Sequence, residues 1–408
     1  MKLALLGCDS DALHLVRHLA RDREHQLVRV FEAAAFRADL QRLAPAAAWG
    51  GEWESLLAGA EVDAVIVARE ERTGQRDDIR IDQLRKLVQG AVPLLLVHPA
   101  CEAIVALELD MIRRDSHCPM AVYFPGCGHP VVTRLAELSR AGGDSQIGVV
   151  EQIVFERTMA RRERQDVLTQ LSRDADWLRQ LLGETRRVNA TGDAASLANL
   201  SVHISGPGDL AARWTVLPAS GDAGGQIVLF GSTGRAVLNL SAAAWSLEIN
   251  GEEVDSESPD DWCAERAALD SLAAAIAGQS PSPDWSDVCR DLDLVEAAER
   301  SAKRGRAIDL QNVVVTEADT FKSLMSAGSC LLLLLAAVCA FVFTVIEGVR
   351  MAGNSAAPGT VSPWRYWPVC LLTPLIIFLL LQCLQMVFKA PLRAENSASE
   401  PRKTSSEG

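Results

Sequence analysis

The chain has no C-x-x-C pair among its ten cysteines, no surplus of positive charge, no long apolar stretch at its N-terminus and no complete G-x-G-x-x-G. Scattered cysteines read as reduced packing residues and argue against a disulfide framework. Four of them, Cys330, Cys339, Cys370 and Cys383, lie in the apolar region near the C-terminus. With Asp+Glu 53 against Lys+Arg 40 the net charge is -13, so a nucleic-acid partner is not expected. The apolar run after Met1-Lys2 is too short for a signal peptide, which leaves the soluble part in the cytoplasm. His117-Cys118 with Cys127 and His129 offers four potential zinc ligands, but their spacing matches no common zinc module. Loop and packing roles are the expectation there, and no metal.

What is present begins at residue 2. Lys2 to Leu6 is a short apolar run ending at Gly7, and Cys8-Asp9-Ser10-Asp11 are turn formers. Ala12 to Ala20 carries apolar residues at helical spacing, and a second run, Leu27 to Phe31, closes on Glu32. Strand, Gly turn, helix, strand and terminal carboxylate make a βαβ unit of the dinucleotide-binding kind. In such a unit the N–H groups at the helix start cradle a pyrophosphate, and the acid bonds the ribose 2′-OH. Glu32 follows Gly7 by about 25 residues, close to the usual separation. Gly7, Cys8, Asp9, Ser10, Asp11, Glu32 and Ala68, at the end of a later strand, are therefore the candidate nucleotide contacts. The glycine pattern is incomplete, since Asp9 and Ala12 stand where glycines would. Ala12 is small enough for helix–strand packing, whereas Asp9 brings a Cβ and a negative charge toward a phosphate.

Length allows two soluble domains and an appendage. Helices are expected over 37–43, 53–57, 81–89 and 103–113, alternating with apolar strands at 63–68, 92–97 and 120–124. That alternation predicts a doubly wound parallel sheet over residues 1–125. From residue 126 to 312 the pattern predicts an α+β domain with an open, mostly antiparallel sheet. Its helices are placed at 131–140, 167–182, 261–277 and 285–304, and its strands at 147–156, 198–205, 210–217, 226–230, 236–240 and 244–249.

Residues 323–346 and 367–388 are uncharged. Each is long enough, at about 1.5 Å per residue, to cross a hydrocarbon core of about 30 Å. Trp364, Tyr366 and Trp367 mark one border, and Lys/Arg cluster before the first span and after the second. Two transmembrane helices are expected, with the soluble domains and a disordered tail, 389–408, in the cytoplasm. That makes a multi-pass protein of the inner or cytoplasmic membrane.

The chain resembles the glucose–fructose oxidoreductase / inositol dehydrogenase (Gfo/Idh/MocA) family over about residues 1–310. The resemblance rests on Leu5-Leu6-Gly7-Cys8, Val62 to Ala68, Val97-His98-Pro99, Ser145 to Val150, Asp176 with Leu181 to Glu184, and Leu294 to Ala302. It implies a Rossmann domain binding NAD or NADP, followed by a domain whose open sheet builds a homo-oligomer. The family's strand-end motif is Glu-Lys-Pro, where this chain has Val97-His98-Pro99. Its second motif, Asp-x-x-x-His-x-x-Asp, falls on Thr169, Arg173 and Asp176, and an arginine does not act as a base near neutral pH.

Two functions follow. One keeps the fold without the chemistry, as a scaffold or sensor at the membrane with or without a bound nucleotide. The other is an active NAD(P)-dependent oxidoreductase on a sugar or sugar nucleotide at the cytoplasmic face. There His98 would transfer the proton, Arg173 would anchor an anionic group, and Glu32 would favour NAD. Asp9, His98 and Arg173 favour the first. The enzyme needs a phosphate-accepting turn and an open cleft beside His98, and the scaffold needs neither.

Overall fold

The computed structural model describes residues 1–58, 62–69, 77–219, 224–241, 245–254 and 262–310, with 338, 341, 342, 344–346 and 349 beyond them. The chain divides into two compact units, Met1–Asn312 and Val313–Gly408.

The first layer runs β1 (Lys2–Leu6), α1 (Ser10–Leu19), β2 (Gln26–Phe31), α2 (Arg37–Leu43), β3 (Ala48–Trp49), β4 (Ala64–Val67), α3 (Asp77–Gln89), β5 (Leu94–Val97), α4 (Ala103–Ser116) and β6 (Met120–Tyr123). The strands pair in parallel in the order β3-β2-β1-β4-β5-β6. β4, β5 and β6 are apolar and buried along their whole length, because helices cover both faces of such a sheet. Strand order reverses between β1 and β4, and the crevice beyond their carboxyl ends is the usual ligand site of this architecture.

The second layer contains α5 (Pro130–Arg140), β7 (Val150–Met159), α6 (Arg164–Leu182), β8 (Arg187–Thr191), β9 (Ser201–Ser205), β10 (Ala211–Pro218), β11 (Gly224–Gly231), β12 (Arg235–Leu240), β13 (Trp245–Ile249), β14 (Glu252–Val254), α7 (Ala264–Ile276), α8 (Trp285–Arg304) and β15 (Ile308–Asp309). Its sheet has the order β14-β13-β12-β11-β7-β10-β9-β8-β15. It is mixed: β7 and β10 are parallel, and the remaining pairs are antiparallel. Ile153, Phe155, Ile227, Leu229 and Leu238 point to the face covered by Leu171, Leu178 and Leu181 of α6.

α7 and α8 tie the layers together. Ala268, Leu269 and Leu272 of α7 pack with α1, β5 and β6, and Trp285, Val288 and Leu292 of α8 complete the other side of the parallel sheet. Leu294, Ala297 and Ala298, further along α8, belong to the core of the mixed sheet. One helix therefore serves both cores, its start fixed by a capping box between Asp284 and Asp287.

The expected spans 367–388 and 323–346 and the tail 389–408 lie outside the described residues, apart from the few positions above in the first span. There Val338, Phe341, Val342, Val345 and Ile346 are helical and exposed. No helix among the described residues is long and apolar enough to cross a membrane.

Candidate functional site

The β1–α1 turn comes first. Gly7 has φ +77, and a Cβ there would stand 2.6 Å from the Ala68 carbonyl oxygen and 2.7 Å from Arg80 Nη2. Only glycine fits between that carbonyl and that guanidinium. Cys8 is buried behind the turn. Asp9 is the N-cap of α1, its Oδ1 accepting from the Ala12 N–H at 2.8 Å. Burial pushes its carboxyl up to about 6, and this outweighs the opposing effect of the cap bond.

Glu32 follows β2 with a left-handed φ of 50. Its Oε1 accepts from Gln83 Nε2 at 2.8 Å and its Oε2 from Arg80 Nη2 at 3.2 Å. Both donors stand on α3 and are buried. In this architecture a dinucleotide takes the first N–H groups of α1 and the acid after β2. Here the chain's own Asp9 and Arg80–Gln83 hold those two places, so the turn as built does not fit the cofactor.

His98 follows β5, joined to Pro99 by a cis peptide bond. It is buried, 5.7 Å from the Phe124 ring, and its Nε2 lies 3.2 Å from the Ser172 carbonyl oxygen. A carbonyl only accepts, so Nε2 carries the hydrogen and donates. Burial first, and then the charge of Arg173, push the imidazole down to about 3. His98 is therefore neutral throughout the physiological range.

Arg173, in the slot of the family's histidine, reaches from α6 to pair its Nη2 with the Asp11 carboxylate on α1. Its Nε is buried with no hydrogen-bond partner among the described residues. Beside it, Asp174 is fully buried and accepts from Arg157 Nε at 3.0 Å, Trp214 Nε1 at 2.8 Å and Gln170 Nε2 at 3.0 Å. The Arg157 guanidinium also lies over the Phe155 and Trp177 rings, 5.0 and 5.4 Å from their centroids. Asp176 faces away, toward Arg179 and Gln180.

These groups frame a pocket of about 500 Å³, walled by the start of α1, the end of β7, α6 and Trp245. Ser10, Asp11, Thr169 and Arg173 line it together with Arg157 and Arg161. The structure thus brings Ser10, Asp11 and Arg173 to one cavity, while Gly7, Ala68 and Glu32 gather around Arg80 and Asp9 caps α1. His98 lies buried behind α6. The sequence did not single out Arg80, Gln83, Arg157, Arg161 or Asp174. The one signal that could have found Arg157 and Arg161 is the density of charge between Glu156 and Asp166.

The possible zinc ligands have other employment. His117 caps α4 in a left-handed conformation, Cys118 donates to the Val92 carbonyl, and His129 caps α5 and stacks on Trp245 at 4.0 Å. Among the described residues no group of three or more His, Cys, Asp or Glu is placed to hold a metal.

No protein-family model and no curated protein matches the chain. Solved structures do. A myo-inositol dehydrogenase from Corynebacterium glutamicum superposes with TM-score 0.57 at 19% identity, covering 77% of this chain and 99% of that one. Aldose–aldose oxidoreductase from Caulobacter crescentus, complexed with glycerol, gives TM-score 0.62 at 14% identity, covering 76% and 99%. The fold is that of the Gfo/Idh/MocA-type oxidoreductases. An oxidoreductase of this fold from Agrobacterium radiobacter, in complex with NAD+, L-tartaric acid and magnesium, has TM-score 0.57 at 14% identity, covering 76% and 98%. These neighbours are covered over 98–99% of their own length by 76–77% of this chain.

Proposed function

We propose that the chain is a membrane-tethered binding module, a scaffold or sensor, that keeps a dehydrogenase fold without transferring hydride. The observation carrying this reading is Arg80, which lies against the Gly7 turn and holds Glu32. Asp9 on the first turn of α1 and the neutral, buried His98 support it. Hydride transfer between a hydroxyl and a carbonyl needs a group that exchanges its proton near working pH, and neither His98 nor Arg173 does so. Calorimetric titration of the full chain with NAD, NADH, NADP and NADPH tests this. No binding at millimolar nucleotide is expected.

The alternative is an active NAD(P)-dependent oxidoreductase on a sugar or sugar nucleotide, and the open pocket beside Arg173 favours it. The neighbour bound to NAD+ and tartaric acid lends it further support. It requires Glu32 to be released from Arg80 and Gln83, whereupon that acid would favour NAD. Submillimolar NAD binding that disappears in Glu32→Arg would establish it.

The tether is a hairpin of residues 323–346 and 367–388, with both chain ends in the cytoplasm. Exposed apolar helical residues such as Phe341 and Val345 support the first span, and the Lys/Arg distribution supports the orientation. Protease added to right-side-out vesicles should leave the tail after residue 389 intact. A homo-oligomer would form through the outer face of the mixed sheet. Val154, Val228 and Val237 stand side by side there on β7, β11 and β12, and a monomer by light scattering would remove that assembly.

A further inference from the structure

Helix α4 is apolar on two opposite sides. Val105, Ala106 and Leu109 are buried in the core beneath the parallel sheet, where α8 also packs. On the outer side Ile104, Leu107 and Met111 are 68%, 46% and 65% exposed. No other described helix of the unit Met1–Asn312 exposes more than one large apolar residue. A helix facing water carries polar residues on its outer side, and a continuous apolar stripe there marks an interaction surface.

The order of residues along the stripe shows what fits it. Positions 104, 107, 111 and 114 alternate steps of three and four, the a/d repeat by which one helix packs along another. Ile104 and Met111 take the a positions, Leu107 a d position, and Arg114 ends the row. The two ends of the helix differ in charge. Glu102 is exposed just before the first turn, while Arg113 and Arg114 stand in the last turn, both bonded to Asp110. Glu108, beside the row, is paired with Arg85 of α3 and brings no unpaired charge to it.

The row is complementary to itself in one direction only. A second α4 running parallel would set Arg114 on its own counterpart. Running antiparallel, Leu107 of each copy meets Met111 of the other, and Arg114 lies over Ile104 with Glu102 of that copy about half a turn away. Opposite charges then meet at both ends, and the helix dipoles are opposed. A two-fold axis produces this arrangement, since it places the same patch on both subunits. We infer that α4 is a docking surface for a second copy of this chain, packed antiparallel on Ile104, Leu107 and Met111. The surface is distinct from the outer face of the mixed sheet.

The test uses the full chain in mild detergent at about 100 μM, because a single helix pair is smaller than the standard interface of about 800 Å² per partner. A mixture of Leu107→Cys and Met111→Cys chains, oxidised with copper phenanthroline, is expected to give a disulfide-linked dimer above the background of the parent chain. Ile104→Cys alone is expected to give none above that background, since its two copies stand about 15 Å apart along the axes, beyond the reach of a disulfide. Leu107→Glu, at an exposed position, should halve the particle mass by light scattering, whether or not the mixed sheet also joins copies. No linkage in the mixture, or a Leu107→Glu chain of unchanged mass, would overturn the inference. Linkage of Ile104→Cys to itself would overturn the antiparallel register. Unlinked cysteines that also resist maleimide would overturn the second copy in favour of the chain's own residues after 312 as the cover. Unlinked cysteines that label readily would show a stripe that nothing covers, and overturn it as well. If Leu107→Glu does not fold, the cysteine pairs decide alone.

Discussion

In the half of the cleft built on the parallel sheet, side chains occupy the places where a dinucleotide would rest. Asp9 caps α1, and Arg80 and Gln83 hold Glu32. In the half built on the mixed sheet the cavity stays open, with Arg157, Arg161 and Arg173 around it. The two halves share one fold and one core helix, α8, so the difference comes from a few polar side chains and not from the backbone.

The largest effect should come from the open half. Asp174 is fully buried and holds Arg157, Gln170 and Trp214. Asp174→Ala would strand a buried guanidinium and should cost about 3–5 kcal/mol of stability, read as a lowered urea midpoint. Losses below about 1 kcal/mol would mean that water replaces the carboxylate there. Trp285→Ala is the counterpart on the closed side. It removes a buried indole whose Nε1 donates to the Ala106 carbonyl at 3.0 Å, and it should cost about 3–5 kcal/mol.

Acidification sharpens the comparison further. His98 has its pKa lowered to about 3 by burial, so the unfolded chain takes up a proton first as pH falls below about 6.5. Stability contributed by the neutral His98 is thus present above about 6.5 and lost progressively toward pH 3. Asp9, raised to about 6, acts in the opposite sense, since the folded chain binds its proton first between about 6 and its unfolded value near 3.9. His98→Gln should flatten the loss of urea midpoint between pH 7 and 4, and an unchanged slope would assign the acid sensitivity elsewhere. The smallest effect belongs to the surface. Arg187→Ala breaks an exposed pair with Asp309 and should leave the urea midpoint unchanged.

Much of the fold was legible because its elements carry local signals. The helices Arg37–Leu43 and Trp285–Arg304 begin and end as the pattern places them, and the parallel and antiparallel halves follow from buried versus alternating strands. β8 escaped notice because only Val188 and Ala190 point inward in a polar segment, and β3 and β15 are two residues each. The candidate site was legible only in part. Of the candidate site residues, Ser10, Asp11 and Arg173 line the pocket, while Gly7 and Glu32 stand beside Arg80 and His98 is buried against α6. That Arg80 would meet Glu32, 48 residues away, or Arg173 meet Asp11, 162 residues away, follows from tertiary packing that no local spacing encodes.

The central claim is that the nucleotide half is closed by side chains on an otherwise competent frame. Calorimetry of NAD binding to the Asp9→Gly, Arg80→Ala double variant beside the parent chain tests it most directly. The account predicts no binding to the parent and measurable binding to the variant, with Glu32 freed for the ribose. Submillimolar binding to the parent, unchanged in the variant, would contradict it.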